Sequence, residues 1–151
     1  MFGKIIEIKA FSQDIYQFVC KMTQQLTGGK NTLSEHAFRA ILESPNSHLF
    51  VIYDIDATPA GMLTVGIYST VTGSKAWIED VTVDETYRGH GYGKKIVEHA
   101  IEFIRRSGVE TISLTSNNSR VAANKLYQKL YFEKYETNVY KMKITNEKII
   151  I

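Results

Sequence analysis

Trp77-Ile78-Glu79-Asp80-Val81-Thr82-Val83, then Asp84-Glu85-Thr86-Tyr87, then Arg88-Gly89-His90-Gly91-Tyr92-Gly93, is the segment around which the chain is built. Its first block is apolar and β-branched enough to predict a strand. Past the glycines, Tyr92, Ile96, Val97, Ala100, Ile101 and Ile104 recur at the spacing of one helix face. A strand, a turn without bulky side chains and a helix start together make an anion site. Unpaired backbone N–H groups and the helix dipole point the same way there. The expected ligand is a phosphate or pyrophosphate.

Spacing narrows the ligand. A dinucleotide fingerprint needs glycines at its first, third and sixth positions; counted from Gly89 the third is Gly91, but the sixth is Lys94. A nucleoside-triphosphate loop needs Gly-Lys followed by Ser or Thr, and Lys95 follows Gly93-Lys94. What remains is Arg88-x-x-Gly91-x-Gly93 directly after an acidic-apolar strand. That pattern resembles the acetyl-CoA signature of the GNAT family of N-acetyltransferases, acyltransferases in which successive loop amides hold the CoA pyrophosphate.

The whole chain is compatible with this. At 151 residues it is expected to form a single domain over 1–151 with a respectable core. The 44% hydrophobic and 23% charged content is that of an ordinary soluble globular protein. A net charge of +2 argues against nucleic acid as a partner. One cysteine, Cys20, excludes an intramolecular disulfide and fits a reducing compartment. No apolar run approaches membrane-spanning length, and Met1 to Glu7 lacks the apolar centre of a signal peptide. The expectation is a cytoplasmic protein without membrane partners.

Along the chain, Lys4 to Ala10 reads as a strand. Ser12 or Asp14 can cap a helix over Ile15 to Leu26, stopped by Gly28-Gly29, and Ser34 starts another running to about Glu43. Strands follow at His48 to Tyr53, Ala60 to Tyr68 and Lys75 to Val83. The helix after Gly91 should run to about Ser107, with Gly108 as its cap. Thr111 to Ser116 reads as a strand and Ser119 to Leu130 as a helix; Phe132 to Glu136 and Val139 to Ile144 read as a hairpin around Thr137-Asn138. The order predicts an α/β (α+β) fold, a mixed, mostly antiparallel sheet with helices on both faces. It is also the GNAT arrangement, so the resemblance covers nearly the whole chain.

Acetyl transfer to an amine needs a held CoA, a deprotonated amine, stabilised oxyanion charge and a proton for the leaving thiolate. For CoA, the resemblance implies Arg88, Gly89, His90, Gly91, Tyr92, Gly93 and Lys94, with Gly91 and Gly93 keeping side chains off the phosphates. It further implies that the Val81 N–H meets the thioester carbonyl, and that Thr82 and Val83 run beside the pantetheine arm. Glu79 and Asp80 are the candidate bases; as neighbours on a strand they should point to opposite faces, and Glu79 is preferred.

Arg120-Val121-Ala122-Ala123-Asn124-Lys125-Leu126-Tyr127 resembles the last GNAT helix, whose tyrosine faces the sulfur. A phenol of pKa about 10 could protonate or hydrogen-bond a thiolate of pKa about 8.5, which makes Tyr127 the candidate acid. Asn117, Arg120 and Asn124 are the implied cofactor contacts from this region. Arg120 stands where most members have asparagine. Tyr131 stands where most have glycine, which puts the tight turn after the helix in doubt.

His36, His48 and His99 share no ligand spacing, so no metal is expected. Cys20 reads as packing. The resemblance implies acetyl-CoA as cosubstrate and a small-molecule primary amine as acceptor. A glucosamine phosphate, a protein amine, a non-catalytic acyl-CoA-binding module and a homodimer all stay open at this point.

Overall fold

Four strands run antiparallel in chain order: β1 (Phe2–Glu7), β2 (Ser47–Asp54), β3 (Pro59–Thr70) and β4 (Gly73–Val83). A short fifth strand, β5 (Ile112–Ser113), lies parallel to β4. This computed structural model describes residues 2–145; Met1 and the tail Asn146 to Ile151 lie outside the described residues. The sheet is buried on both faces, which the near-continuous apolar run of β2 requires. Leu49 and Val51 pack on one side, Phe50 and Ile52 on the other. Against the first face lie α1 (Gln13–Thr27) and α2 (Glu35–Glu43), through Val19, Met22 and Phe38. Against the second lie α3 (Tyr92–Arg106) and α4 (Val121–Lys129). The α3 stripe of Ile96, Val97, Ala100 and Ile104 is fully buried, as its spacing predicts.

Helix starts follow their caps. Ser12 Oγ accepts from the Ile15 N–H at 3.3 Å, and Ser34 Oγ from that of Ala37 at 3.1 Å. Ser12, not Asp14, is therefore the α1 cap. Gly28, left-handed at φ 63°, ends α1. Asp84 ties α1 to the segment beyond β4: it accepts from Thr86 and pairs with Lys21. Burial pushes its carboxyl up, but the Lys21 ammonium and the Thr86 bonds outweigh that and hold it below the usual range.

Two expectations fail in the C-terminal third. The strand over Thr111 to Ser116 shrinks to Ile112–Ser113, paired with Ala76 and Trp77. The hairpin over Phe132 to Glu136 and Val139 to Ile144 is absent: residues 132–144 hold no strand. Alternation stabilises a strand only by burying one face against something. Here β5 offers two residues of pairing, and Tyr135, Val139, Tyr140, Met142 and Ile144 are each at least 73% exposed.

The turn after α4 does form. Tyr131 takes φ 67°, its N–H donates to Gln128 O at 3.1 Å, and the Phe132 N–H donates to Tyr127 O at 3.0 Å. A tyrosine in this conformation is strained, and its side chain, 93% exposed, gains little in return. Tyr131→Gly is therefore expected to raise unfolding free energy by up to about 1 kcal/mol. Urea denaturation checks this, and a loss of stability would mean the exposed ring contributes contacts.

Candidate active site

The site begins with a break in β4. Across the β3–β4 ladder Thr64 pairs with Glu79 and Met62 with Thr82, so Leu63 alone opposes Asp80 and Val81. This is a β-bulge, and Asp80 sits in it at φ 56°, a conformation aspartate tolerates better than most residues. Thr82, 5% exposed, donates its hydroxyl to Asp80 O at 3.0 Å and braces the kink.

The bulge corrects the expectation that Glu79 and Asp80 face opposite ways. Cross-strand partners share a face, so Glu79 lies on the side of Thr64. Asp80 and Thr64 line one cavity. Both carboxylates thus open on the α1/α2 side, while Ile78 and Val81 pack together on the other. Both keep access to solvent, yet the protein behind them costs hydration. Burial pushes the Glu79 carboxyl up, with the Asp80 charge adding to it, and burial pushes Asp80 up as well. A carboxylate shifted this way is a better proton acceptor.

Beyond Trp77, β4 has no strand on its β5 side among the described residues. The Asp84 N–H turns to β3, donating to Ala60 O at 2.9 Å. Backbone alternation then turns Val83 and Val81 to the open edge. Side chains meet their carbonyls there. Val81 O accepts from Arg120 Nη2 at 3.1 Å; Val83 O accepts from Gln25 Nε2 at 2.8 Å and Arg88 Nε at 3.4 Å. Gln25 also accepts from the Glu85 N–H at 3.2 Å, fastening α1 to the exit of β4. Nothing in the sequence separates this glutamine from an ordinary polar helix residue.

Next to that edge α3 starts without a cap. Gly91 has no side chain to offer, and no acidic residue occupies the first turn, whereas α1 and α2 have both devices. The first intrahelical bond is Lys95 N–H to Gly91 O, 3.0 Å, so the amides of Tyr92, Gly93 and Lys94 have no partner within the helix. Gly89 and Gly91 are left-handed at φ 79° and 87°. A Cβ on Gly91 would also press the Phe2 ring at 3.1 Å, whereas one on Gly93 would make ordinary contact with Leu126 and Val83. Gly91 is thus required by conformation; Gly93 clashes with nothing in the chain. The side chains of Arg88, His90 and Lys94 are exposed. That of Tyr92 turns inward, 5% exposed, and bonds Asp54, which pushes its phenol up to about 12. Tyr92 has only its backbone to offer a ligand.

From α4, Tyr127 reaches the core at 6% exposure. Burial pushes its phenol up, and the Arg120 guanidinium partly opposes this. Asn117 and Asn124 hold the loop between β5 and α4. Asn117 Oδ1 accepts from Ser119 N–H and Oγ, both at 2.9 Å, and Asn124 Nδ2 donates to Asn117 O and Arg120 O. Ser116 Oγ, within that loop, is buried without a partner among the described residues. The sequence marks it only as the last residue of an expected strand.

The sequence matches the Acetyltransferase (GNAT) family over residues 13–132. The chain belongs to the GNAT family. It is 34% identical over 108 residues to the thialysine N-epsilon-acetyltransferase of Sus scrofa, covering 65% of this chain and 64% of that protein. The chain therefore spans just under two thirds of that relative's length. Among solved structures, a transcriptional regulator from Bacillus halodurans superposes with TM-score 0.76 at 29% identity, covering 93% of this chain and 100% of that one. An aminoglycoside acetyltransferase from an uncultured soil metagenomic sample gives TM-score 0.78 at 19% identity, covering 93% and 96%; at that identity the likeness is one of fold.

GNAT proteins use acetyl-CoA as cosubstrate. The residues present fit it. Three amides without a partner in the helix, at its uncapped start, suit a diphosphate. No cluster of three His, Cys, Asp or Glu residues that could hold a metal occurs among the described residues. Cys20 bonds Leu33 O through its thiol, a packing role.

Proposed function

We propose that this chain is an acetyl-CoA-dependent N-acetyltransferase acting on the primary amine of a small molecule by direct attack in a ternary complex. The observation that carries the reading is the bulged, edge-open turn of β4 at Asp80-Val81 lying beside the uncapped start of α3. Bound acetyl-CoA supplies an acetyl group activated as a thioester. The amides from Gly89 to Lys94 bind its diphosphate, with Arg88 adding charge. The Val81 N–H, at the bulge, stabilises negative charge on the acetyl oxygen. The sequence favours Glu79 as base; the place of Asp80 in the cavity supports Asp80 instead, with Glu79 beside it. The amine nitrogen bonds the acetyl carbon as the carbon–sulfur bond breaks. Of the two protons the ammonium loses, one leaves through Asp80 to solvent and one ends on the sulfur by way of Tyr127.

Calorimetric titration with CoA, followed by thiol release against a panel of amines, tests this. Binding with amine-dependent release is expected; binding without release from any amine or peptide would leave a non-catalytic module. Gly91→Val, forced into a left-handed turn against Phe2, should weaken CoA about tenfold or more, a loss of ~1.4 kcal/mol. Gly93→Ala should stay within about twofold, well under that 1.4 kcal/mol. Unchanged CoA affinity in Gly91→Val would remove the loop from the binding site.

A further inference from the structure

We infer that the cavity between α1, α2 and the sheet takes an unbranched aliphatic primary amine without phosphate, its ammonium against Asp80 and its chain against apolar walls. As an account of the acceptor, this rests on the transferase reading above. The cavity measures about 150 Å³. Space of that size holds about six carbon atoms. Its walls come from Leu26, Phe38, Ile41 and Met62 among others, and the polar lining is uncharged except for Asp80. No lysine, arginine or histidine lines it.

A phosphorylated acceptor would need cations, and Lys21, Lys30, Arg39 and Arg120 all lie outside the lining, Lys21 being paired with Asp84. Arg39 forks onto Glu35 at 2.9 and 3.0 Å and stacks over Phe11 at 3.8 Å. Arg120 bonds Val81 O, and Lys30 is exposed, outside the lining. A sugar amine would set hydroxyls against Leu26 and Phe38, where each unpaired hydroxyl costs free energy. An alkyl chain costs nothing there and gains with each methylene. The one carboxylate matches the one ammonium, and restores to Asp80 the charge partner that its surroundings withhold.

The test uses the intact chain and a ladder of amines from propylamine to octylamine, beside glucosamine 6-phosphate, an aminoglycoside and an N-terminal peptide. Thermal melting with each amine reads binding without turnover. Protection should strengthen about fourfold in affinity per methylene, up to about six heavy atoms, then stop. Asp80→Asn should abolish it, and Leu26→Ala should move the optimum to longer chains by about one or two carbons. With acetyl-CoA present, thiol release should follow the same ladder. No length dependence in melting, or a kcat/KM for the sugar phosphate or peptide above that of the best alkylamine, overturns the inference and leaves the transferase reading standing. Length-dependent protection without thiol release keeps the ligand class and removes the transferase reading.

Discussion

Replacing Tyr127 by phenylalanine is expected to lower kcat about 10²- to 10⁴-fold, the range that positioned proton transfer contributes. Affinity for CoA should change less than about threefold, under 1 kcal/mol. The fold should survive, because the ring is 6% exposed in the α3/α4 core and packs on Phe132 at 5.9 Å, contacts that phenylalanine keeps. What phenylalanine lacks is the proton. Burial raises the Tyr127 phenol above its ordinary pKa of 10.0, and the opposing Arg120 charge does not cancel this. The hydroxyl is thus protonated throughout the neutral range, the form in which an acid can act. Activity in the parent chain should accordingly hold into alkaline pH and decline only above about 10. Steady-state rates across pH, with calorimetry of CoA binding, check both parts. An unchanged kcat would reduce Tyr127 to a packing residue and hand the proton to water.

The parts of this molecule that could be read from residues alone are those set by local rules. The α3 stripe, the Ser12 and Ser34 caps and the Gly28 stop follow from spacing and hydrogen-bonding chemistry within one turn. The glycine turn ahead of α3 is equally legible, since Gly89 and Gly91 hold backbone angles that other residues avoid. The bulge is not, because strict alternation puts Glu79 and Asp80 on opposite faces. Two adjacent polar residues between Ile78 and Val81 were its trace, as only an extra residue lets both apolar neighbours face the same core. The C-terminal alternation misled for the opposite reason: the pattern is there, but β5 is too short to give it an edge. Gln25 matters through a contact that only the packed chain creates.

Asp80→Asn should lower kcat/KM by about 10²-fold or more while making the protein more stable at neutral pH. The two effects share one cause. Asp80 lines the cavity, and its surroundings raise its folded pKa above the unfolded value near 3.8. A raised pKa means that the folded chain holds the proton more tightly than the unfolded one. Stability from this group is full below the unfolded pKa and is lost as pH rises through the folded one. At pH 7 the charge is therefore a penalty, and the neutral amide removes it. Asparagine also accepts the φ of 56° at this position, so the bulge should persist. The gain in melting temperature should be complete above the raised pKa and vanish once pH falls below the unfolded value of 3.8, where Asp80 is protonated in both states. Glu79 supplies the internal control. Its carboxyl is pushed up by burial and then by the Asp80 charge, so Asp80→Asn should bring it down. If Glu79 were the base, the acid limb of the rate profile would move to lower pH with most of the rate retained. If Asp80 is the base, the rate collapses at every pH, and a variant that is both more stable and nearly as active would place the proton-accepting role on Glu79.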